Sequence, residues 1–326
     1  MLPHNEFRIH ERIVQIGCYW GQGGHTELYL VEGDTLAIID TGVANTPVQY
    51  IAPALASYGR SLADVELILN THAHFDHAGG NSELVAATGG RAKTWLHEAD
   101  APVLSDLDLQ FATYFERNQT LAGHAERLPA ARADFFADAG VPPSVDHLLT
   151  DGEVIELGRD VRLRVVSVPG HTPGSVCYHW ESEGIGFCGD SALGLGTRVG
   201  GLPLIFAPAQ YIASMELLFS LGFRMLALGH HYRTPAAWQT GVPRDSVHMG
   251  ADVANYLKSC SRISEEIGAA VALAQSARPA GDFLEVARWA TDLLGPVLGV
   301  MKGDDGLAPS WGVPAIDAEL TLQSAG

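Results

Sequence analysis

Positive charge is scarce in this chain, with 20 Lys and Arg against 38 Asp and Glu and a formal net charge of −18. No Lys/Arg cluster interrupts that excess, so a phosphate backbone would be repelled rather than held, and nucleic acid is not expected as a partner. Cysteine is also sparse. Cys18, Cys177, Cys188 and Cys260 stand far apart with no Cys-x-x-Cys pair, which excludes a zinc knuckle or a dithiol redox motif and predicts reduced thiols. No stretch approaches the roughly 20 uninterrupted apolar residues that a membrane span requires. The first residues, Met1-Leu2-Pro3-His4-Asn5-Glu6-Phe7-Arg8, place charge and a proline where a secretory signal needs an apolar core. If that start is the natural one, the expectation is a cytoplasmic protein without a membrane partner. Nothing limits the core, since 326 residues at 47% hydrophobic suffice for one large domain or for a domain with an appendage.

What is present is concentrated. Asn70-Thr71-His72-Ala73-His74-Phe75-Asp76-His77-Ala78-Gly79-Gly80 packs three histidines and a carboxylate into six residues, directly after the apolar run Val65-Glu66-Leu67-Ile68-Leu69. In extended backbone, residues two apart share a side, so His72 and His74 can converge on one ion while Asp76 and His77 turn toward a second. Imidazole nitrogen and carboxylate oxygen suit zinc, iron or manganese. Three more candidates follow apolar, strand-like runs: His171 in Val168-Pro169-Gly170-His171-Thr172-Pro173-Gly174-Ser175, Asp190 in Phe187-Cys188-Gly189-Asp190-Ser191, and His230 in Leu226-Ala227-Leu228-Gly229-His230-His231. Each alone has a plain alternative, as a turn residue, a cap or a loop histidine. Cys188 could be offered as a soft ligand, but a cysteine in an apolar run is usually a small buried hydrophobe.

In that order of motifs the chain resembles the metallo-beta-lactamase superfamily. The likeness extends to Leu36-Ala37-Ile38-Ile39-Asp40-Thr41-Gly42, similar to an early strand ending in a buried aspartate, and to Trp95-Leu96-His97-Glu98-Ala99-Asp100, similar to a strand-to-helix turn. It spans about residues 12 to 235. It implies an α/β fold, the four-layer αββα sandwich, where hydropathy periodicity alone gives only a mixed α and β chain. It also implies a site: His72, His74 and His171 on one ion, Asp76, His77 and His230 on the other, and Asp190 bridging. The two cofactor ions would be zinc in the first place, with iron or manganese as alternatives. True zinc beta-lactamases usually carry cysteine where Asp190 stands and lack a histidine where His77 stands, so the likeness is to the glyoxalase II-like and lactonase-like branch.

The expected chemistry follows from charge. Two divalent ions about 3.5–4 Å apart lower the pKa of a shared water toward 7, and the resulting bridging hydroxide attacks the acyl carbon without a separate base. Asp76 would orient that hydroxide and carry a proton to the leaving group. Asp40 is implied as a carboxylate behind a ligand histidine, or else is a turn aspartate before Thr41-Gly42. His231 and Tyr232 stand beside His230 and would face substrate or simply pack. The other histidines, His4, His10, His25, His97, His124, His147, His179 and His248, are expected in structural or surface roles.

Two segments exceed a minimal sandwich. Over residues 101–148, Leu107, Phe111, Tyr114 and Phe115 recur at helical spacing, and Phe135 and Phe136 precede Val141-Pro142-Pro143. This helical insertion either packs or lies over the site as a lid. From about 245 a helical extension is expected. Asp282 and Glu285 resemble a capping box before the apolar face Phe283, Val286, Ala290, Leu293 and Leu294, which stops ahead of Gly295-Pro296. Val253 and Leu257 mark an earlier helix, separated from it by a loose stretch around 268 to 281. The division is thus 1–244 for the hydrolase domain and 245–326 for the extension on the same domain, which would shape the pocket, cover a sheet edge or pack a homodimer. The function expected is hydrolysis of a small-molecule ester-type bond, in a lactone, thioester or carboxyl ester, with beta-lactam cleavage as a main or side activity. The rival is an iron-dependent persulfide dioxygenase.

Overall fold

The computed structural model describes residues 6–21, 23–235, 245–308 and 312–324. The N-terminal reading therefore rests in part on residues outside the described ones, and the division at 244/245 adjoins such a stretch. Among the described residues no helix is long and apolar enough to cross a membrane.

Two sheets stack face to face. The first has seven strands in chain order, β1 (Glu6–His10), β2 (Ile13–Trp20), β3 (Gly24–Glu32), β4 (Leu36–Ile39), β5 (Leu67–Leu69), β6 (Lys93–His97) and β7 (His147–Leu149). The second has six, β8 (Val154–Gly158), β9 (Val161–Ser167), β10 (Val176–Trp180), β11 (Ile185–Phe187), β12 (Met225–Tyr232) and β13 (Asp245–Met249), also adjacent in chain order. From β4 to β7 the pairing is parallel, which forces each connection to cross over the sheet and places helices there. Short apolar runs such as Leu36–Ile39 and Leu67–Leu69 suit strands that are covered on both faces.

The inner faces meet in a core that includes Ile13, Tyr29, Ile39, Leu69, Leu163, Val165, Tyr178 and Phe187. Helices Ala52–Ser57 and Asn81–Ala87 cover the outer face of the first sheet, where Leu55 and Leu84 pack with Ile16, Leu28, Ile38 and Ile68. Helices Pro208–Ser220 and Ala251–Ala277 cover the second, where Tyr211, Met215, Tyr256 and Leu257 pack with Val166, Leu226 and Leu228. The fold is an αββα sandwich, and all four cysteines are free and buried in it. Cys188 lies in the outer apolar cluster of the second sheet.

Beyond the sandwich, the insertion is helical as its periodicity predicts, with helices Ala101–Ser105, Leu107–Phe111, Arg117–Leu121 and Leu128–Ala139. The C-terminal extension is more helical than expected. Its first helix runs unbroken to Ala277, because Ile263, Ile267, Ala270, Val271 and Ala274 keep one buried face through the stretch that looked loose. The next, Phe283–Leu298, starts where Asp282 accepts the Glu285 amide at 2.9 Å, but it continues through Pro296. Burial of Leu298 holds that last turn, and Gly299 ends it in the left-handed region.

Glu319, on the last helix, is buried, and burial pushes its carboxyl up to about 7. A carboxyl raised in the folded state makes stability fall as pH climbs from the unfolded value toward the folded one. Glu319→Gln is therefore expected to stabilise the protein by about 1–2 kcal/mol near pH 8 and to be neutral near pH 4. Denaturant midpoints at the two pH values check this; an equal effect at both would contradict it.

Candidate metal centre

Register brings the pieces together. Ile39 pairs with Leu69 and Phe187 with Ala227 in parallel ladders, so the chain leaves β4 and β5 side by side, and β11 beside β12. At the first exit Asp40 accepts from Thr71 N at 2.8 Å and from Thr71 Oγ1 at 2.7 Å. Its φ of 60° is unusual for a non-glycine residue, a local strain that these bonds hold in place. At the second exit a side chain at Gly229 would collide with Asp190 Oδ1 and His77 Cε1, at 2.5 and 2.6 Å. Only glycine lets β12 pass that close. Two core tyrosines fix the floor: Tyr178 Oη donates to Asn70 O (2.6 Å), and Tyr29 Oη donates to Leu228 O (2.7 Å).

The seven residues singled out in the sequence converge. His74 Nδ1 lies 2.9 Å from His171 Nε2, and His77 Nε2 lies 3.2 Å from His230 Nε2. Asp190 reaches across, with Oδ1 3.2 Å from His77 Nε2 and Oδ2 3.3 Å from His230 Nε2 and 3.6 Å from His171 Nε2. Asp76 Oδ2 is 3.4 Å from His230 Nε2. Three groups of donors result, each close enough to share an ion: His72, His74 and His171; Asp76, His77 and His230; and His72, His77 and Asp190. His230 does not follow its strand, as the apolar run before it suggests, but lies within it. β12 continues to Tyr232, which pairs with Asp245, so the histidine projects from within the strand.

The outer nitrogens explain how the rings are aimed. His77 Nδ1 is held by Asp40 Oδ2 at 2.8 Å, His171 Nδ1 by Leu204 O at 2.8 Å, His72 Nδ1 by Thr71 Oγ1 at 3.1 Å, and His230 Nδ1 by the carbonyl of His25. With Nδ1 engaged as a donor, each ring presents the lone pair of Nε2 inward. With Nδ1 engaged on both His77 and His230, their Nε2 atoms 3.2 Å apart repel unless a proton or metal cation lies between them, and His72 Nε2 and His74 Nε2 are buried with no hydrogen-bond partner. The donor set fits divalent ions.

Charge leads to the same conclusion. Burial, then the neighbouring imidazoles, push His72 and His74 well below the usual histidine range. Burial also opposes charge on His77 and His230, but the carboxylates outweigh it. Asp190, Asp40 and Asp76 hold His77 well above its ordinary value, and Asp190 and Asp76 lift His230 to about 10. Protons on these two rings stand in for the cations that the carboxylates demand.

Around the cluster lie further residues, among them several that no sequence pattern assigns to the site. Asp100 accepts from Ala73 N, Thr172 Oγ1 and Gly174 N at 3.0, 2.7 and 2.7 Å, clamping the His72–His74 loop to the His171 loop. Phe206 and Tyr114 form an aromatic wall. The Tyr114 ring stands edge-on to His74 at 4.4 Å, and Phe206 packs on Tyr114 at 5.0 Å and His171 at 5.9 Å. Tyr114 comes from the insertion, whose Gln110 also donates to Ala73 O at 2.8 Å, so the segment does lie against the cluster. Tyr232 is buried with its ring edge-on to His230. His231 is not drawn into the cluster. It pairs with Glu27 at 2.8 Å, beside His25.

A family model, the metallo-beta-lactamase superfamily, matches residues 22–230. The chain belongs to that superfamily. Among curated proteins it is similar to a human acyl-coenzyme A thioesterase, 29% identical over 235 residues that make up 67% of this chain and 79% of that one. It is also similar to a hydroxyacylglutathione hydrolase of Maricaulis maris, 33% identical over 138 residues, though the match spans only 42% of this chain and 38% of that protein. A metallo-beta-lactamase family protein from Thermus thermophilus shares the fold across 98% of this chain and 95% of its own, with a TM-score of 0.66 at 21% identity. A subclass B3 metallo-beta-lactamase of Bradyrhizobium japonicum matches 84% of this chain and 96% of its own, at a TM-score of 0.54 and 21% identity. Membership of this superfamily accounts for the sandwich and for the order in which the ligand-type residues occur along it.

Proposed function

We propose that the protein is a binuclear metal-dependent hydrolase of an ester-type bond in a small molecule, with a thioester the leading substrate class and lactones and carboxyl esters next. The observation that carries this reading is the convergence of His72, His74, Asp76, His77, His171, Asp190 and His230 from four separate chain segments. The thioester preference rests on the two curated relatives, whose names describe a thioesterase and a hydroxyacylglutathione hydrolase.

In this reading His72, His74 and His171 would hold one ion and Asp76, His77 and His230 the other, with Asp190 shared between the two. Zinc is the ion favoured by the nitrogen and oxygen donors, with iron and manganese next. When bound, such a pair lowers the pKa of a shared water toward 7 and polarises the substrate carbonyl. The protein does the rest. Asp40, Thr71 and the carbonyls of Leu204 and His25 orient the rings, and Asp76, whose side chain is 14% exposed, would carry a proton toward the leaving group. Tyr114 and Phe206 exclude water from one side and offer an apolar surface to an acyl chain. The extension from 245 belongs to the same domain, its first helix closing the outer layer of the sandwich.

Because His77 and His230 bind protons strongly without ions, uptake of metal must displace those protons. Lower pH therefore weakens binding. Between about pH 8 and about pH 6 the apparent affinity is expected to fall by roughly tenfold per pH unit for each proton displaced, and calorimetry in buffers of different ionisation enthalpy should register proton release. Affinity independent of pH would contradict the assignment. Substrate class is tested by assaying the metal-loaded protein on thioesters, lactones, carboxyl esters, beta-lactams and phosphodiesters side by side. Turnover of the ester-type compounds is expected; turnover of phosphodiesters alone would overturn the reading.

A further inference from the structure

Outside the seven-residue cluster, a second set of donors converges where β3 of one sheet passes β12 of the other. His25 and Glu27 are two residues apart on β3 and share a face, and His231 meets them from β12. His25 Nε2 lies 3.1 Å and His231 Nε2 2.8 Å from the same carboxylate oxygen, Glu27 Oε1, and the two imidazole centroids are 4.4 Å apart. The other oxygen, Glu27 Oε2, is buried with no hydrogen-bond partner. Its polar neighbour Gln15 donates to Ser246 Oγ at 2.7 Å and lies beside the carboxylate. A buried carboxylate oxygen left unused is costly unless something else satisfies it.

Access is graded. The Glu27 side chain is 4% exposed, His25 15% and His231 42%, so an ion can enter from the His231 side without the sandwich opening. The three donor atoms lie within 4.8 Å of one another. Two imidazoles, one carboxylate and an open side make the pattern of a zinc-type site that keeps a position for water.

We infer that His25, Glu27 and His231 form a third site, for an exchangeable zinc-class divalent cation, distinct from the binuclear cluster. It adjoins that cluster through two short links. His230 Nδ1 donates to the backbone carbonyl of His25, and His231 follows His230 in the chain. An ion that pins His25 also steadies the carbonyl that orients His230.

The test uses the full chain dialysed after loading with two equivalents of Zn2+, then titrated with further Zn2+ by calorimetry, with Co2+ absorption as a parallel readout. A third, weaker equivalent is expected. His25→Gln keeps the backbone carbonyl and should weaken that third equivalent by about 100-fold or more, beyond the cost of losing a mere orienting partner, with a far smaller effect on the two cluster ions. Glu27→Gln should do the same; should it fail to fold, the half-buried His25→Gln variant decides alone, with its melting curve as the control. Saturation of the wild type at its cluster ions, or a further equivalent that survives in His25→Gln, overturns the inference. A wild type holding fewer than two cluster ions, yet losing one site on His25→Gln, would support the third site while contradicting the binuclear reading.

Discussion

His77→Ala is expected to reduce the metal content of the cluster from two ions to one and to lower kcat/KM on the order of 10³-fold, the equivalent of the several kcal/mol that an ion contributes to stabilising transition-state charge. His77 is fully buried, its Nδ1 fixed by Asp40 at 2.8 Å and its Nε2 facing Asp190 at 3.2 Å and His230 at 3.2 Å. Among the described residues no other donor stands where its ring stands. Its removal also deprives Asp40 of an imidazole partner, although Thr71 still donates twice to that carboxylate, so the variant should fold with reduced stability. Metal content and kcat/KM measured on the same folded sample separate the two effects. A variant with one ion and undiminished turnover would show that the second ion has no catalytic part.

Stripping both ions with a chelator should abolish turnover and lower the melting temperature by roughly 10–15 °C, the shift expected when two ions, each present at about a thousandfold its Kd and worth about 4 kcal/mol, are withdrawn from a chain of this size. The reason is local. Without ions, His72 Nε2 and His74 Nε2 are buried with no partner, and Asp76 and Asp190 rely on protons borrowed by His77 and His230. Restoring Zn2+ should recover both activity and melting temperature. A chelated protein that melts where the loaded one does would mean that these side chains are satisfied by one another.

Much of the site was legible because its densest part is local. His72, His74, Asp76 and His77 sit within six residues after a strand, although the structure separates them differently from an extended segment, with His72 and His74 in a loop and Asp76 and His77 on the short helix Phe75–Ala78. His171, Asp190 and His230 follow apolar runs and were singled out in the same way, with their grouping supplied by the family resemblance. The αββα layering likewise came from the resemblance, since buried apolar runs such as Leu67–Leu69 do not declare which sheet they join. What stayed hidden depends on contacts between distant segments. Asp100 meets Thr172 across 72 positions, and Phe206 reaches the cluster from a loop with no pattern of its own. His25 belongs to the histidines expected in structural or surface roles, yet it stands with Glu27 and His231. The His25-Thr26-Glu27 spacing was a usable signal; the third donor, in the other sheet, was not visible from it. Pro296 misled in the opposite direction, because burial of Leu298 carries the helix through a residue that usually ends one.

Anomalous diffraction from crystals of the metal-loaded protein, collected at the absorption edge of the bound ion, tests the central claim most directly. The account predicts two peaks about 3.5–4 Å apart, one among His72, His74 and His171 and the other among Asp76, His77 and His230, with Asp190 touching both. A single peak within the seven-residue cluster, or none there at all, would contradict it.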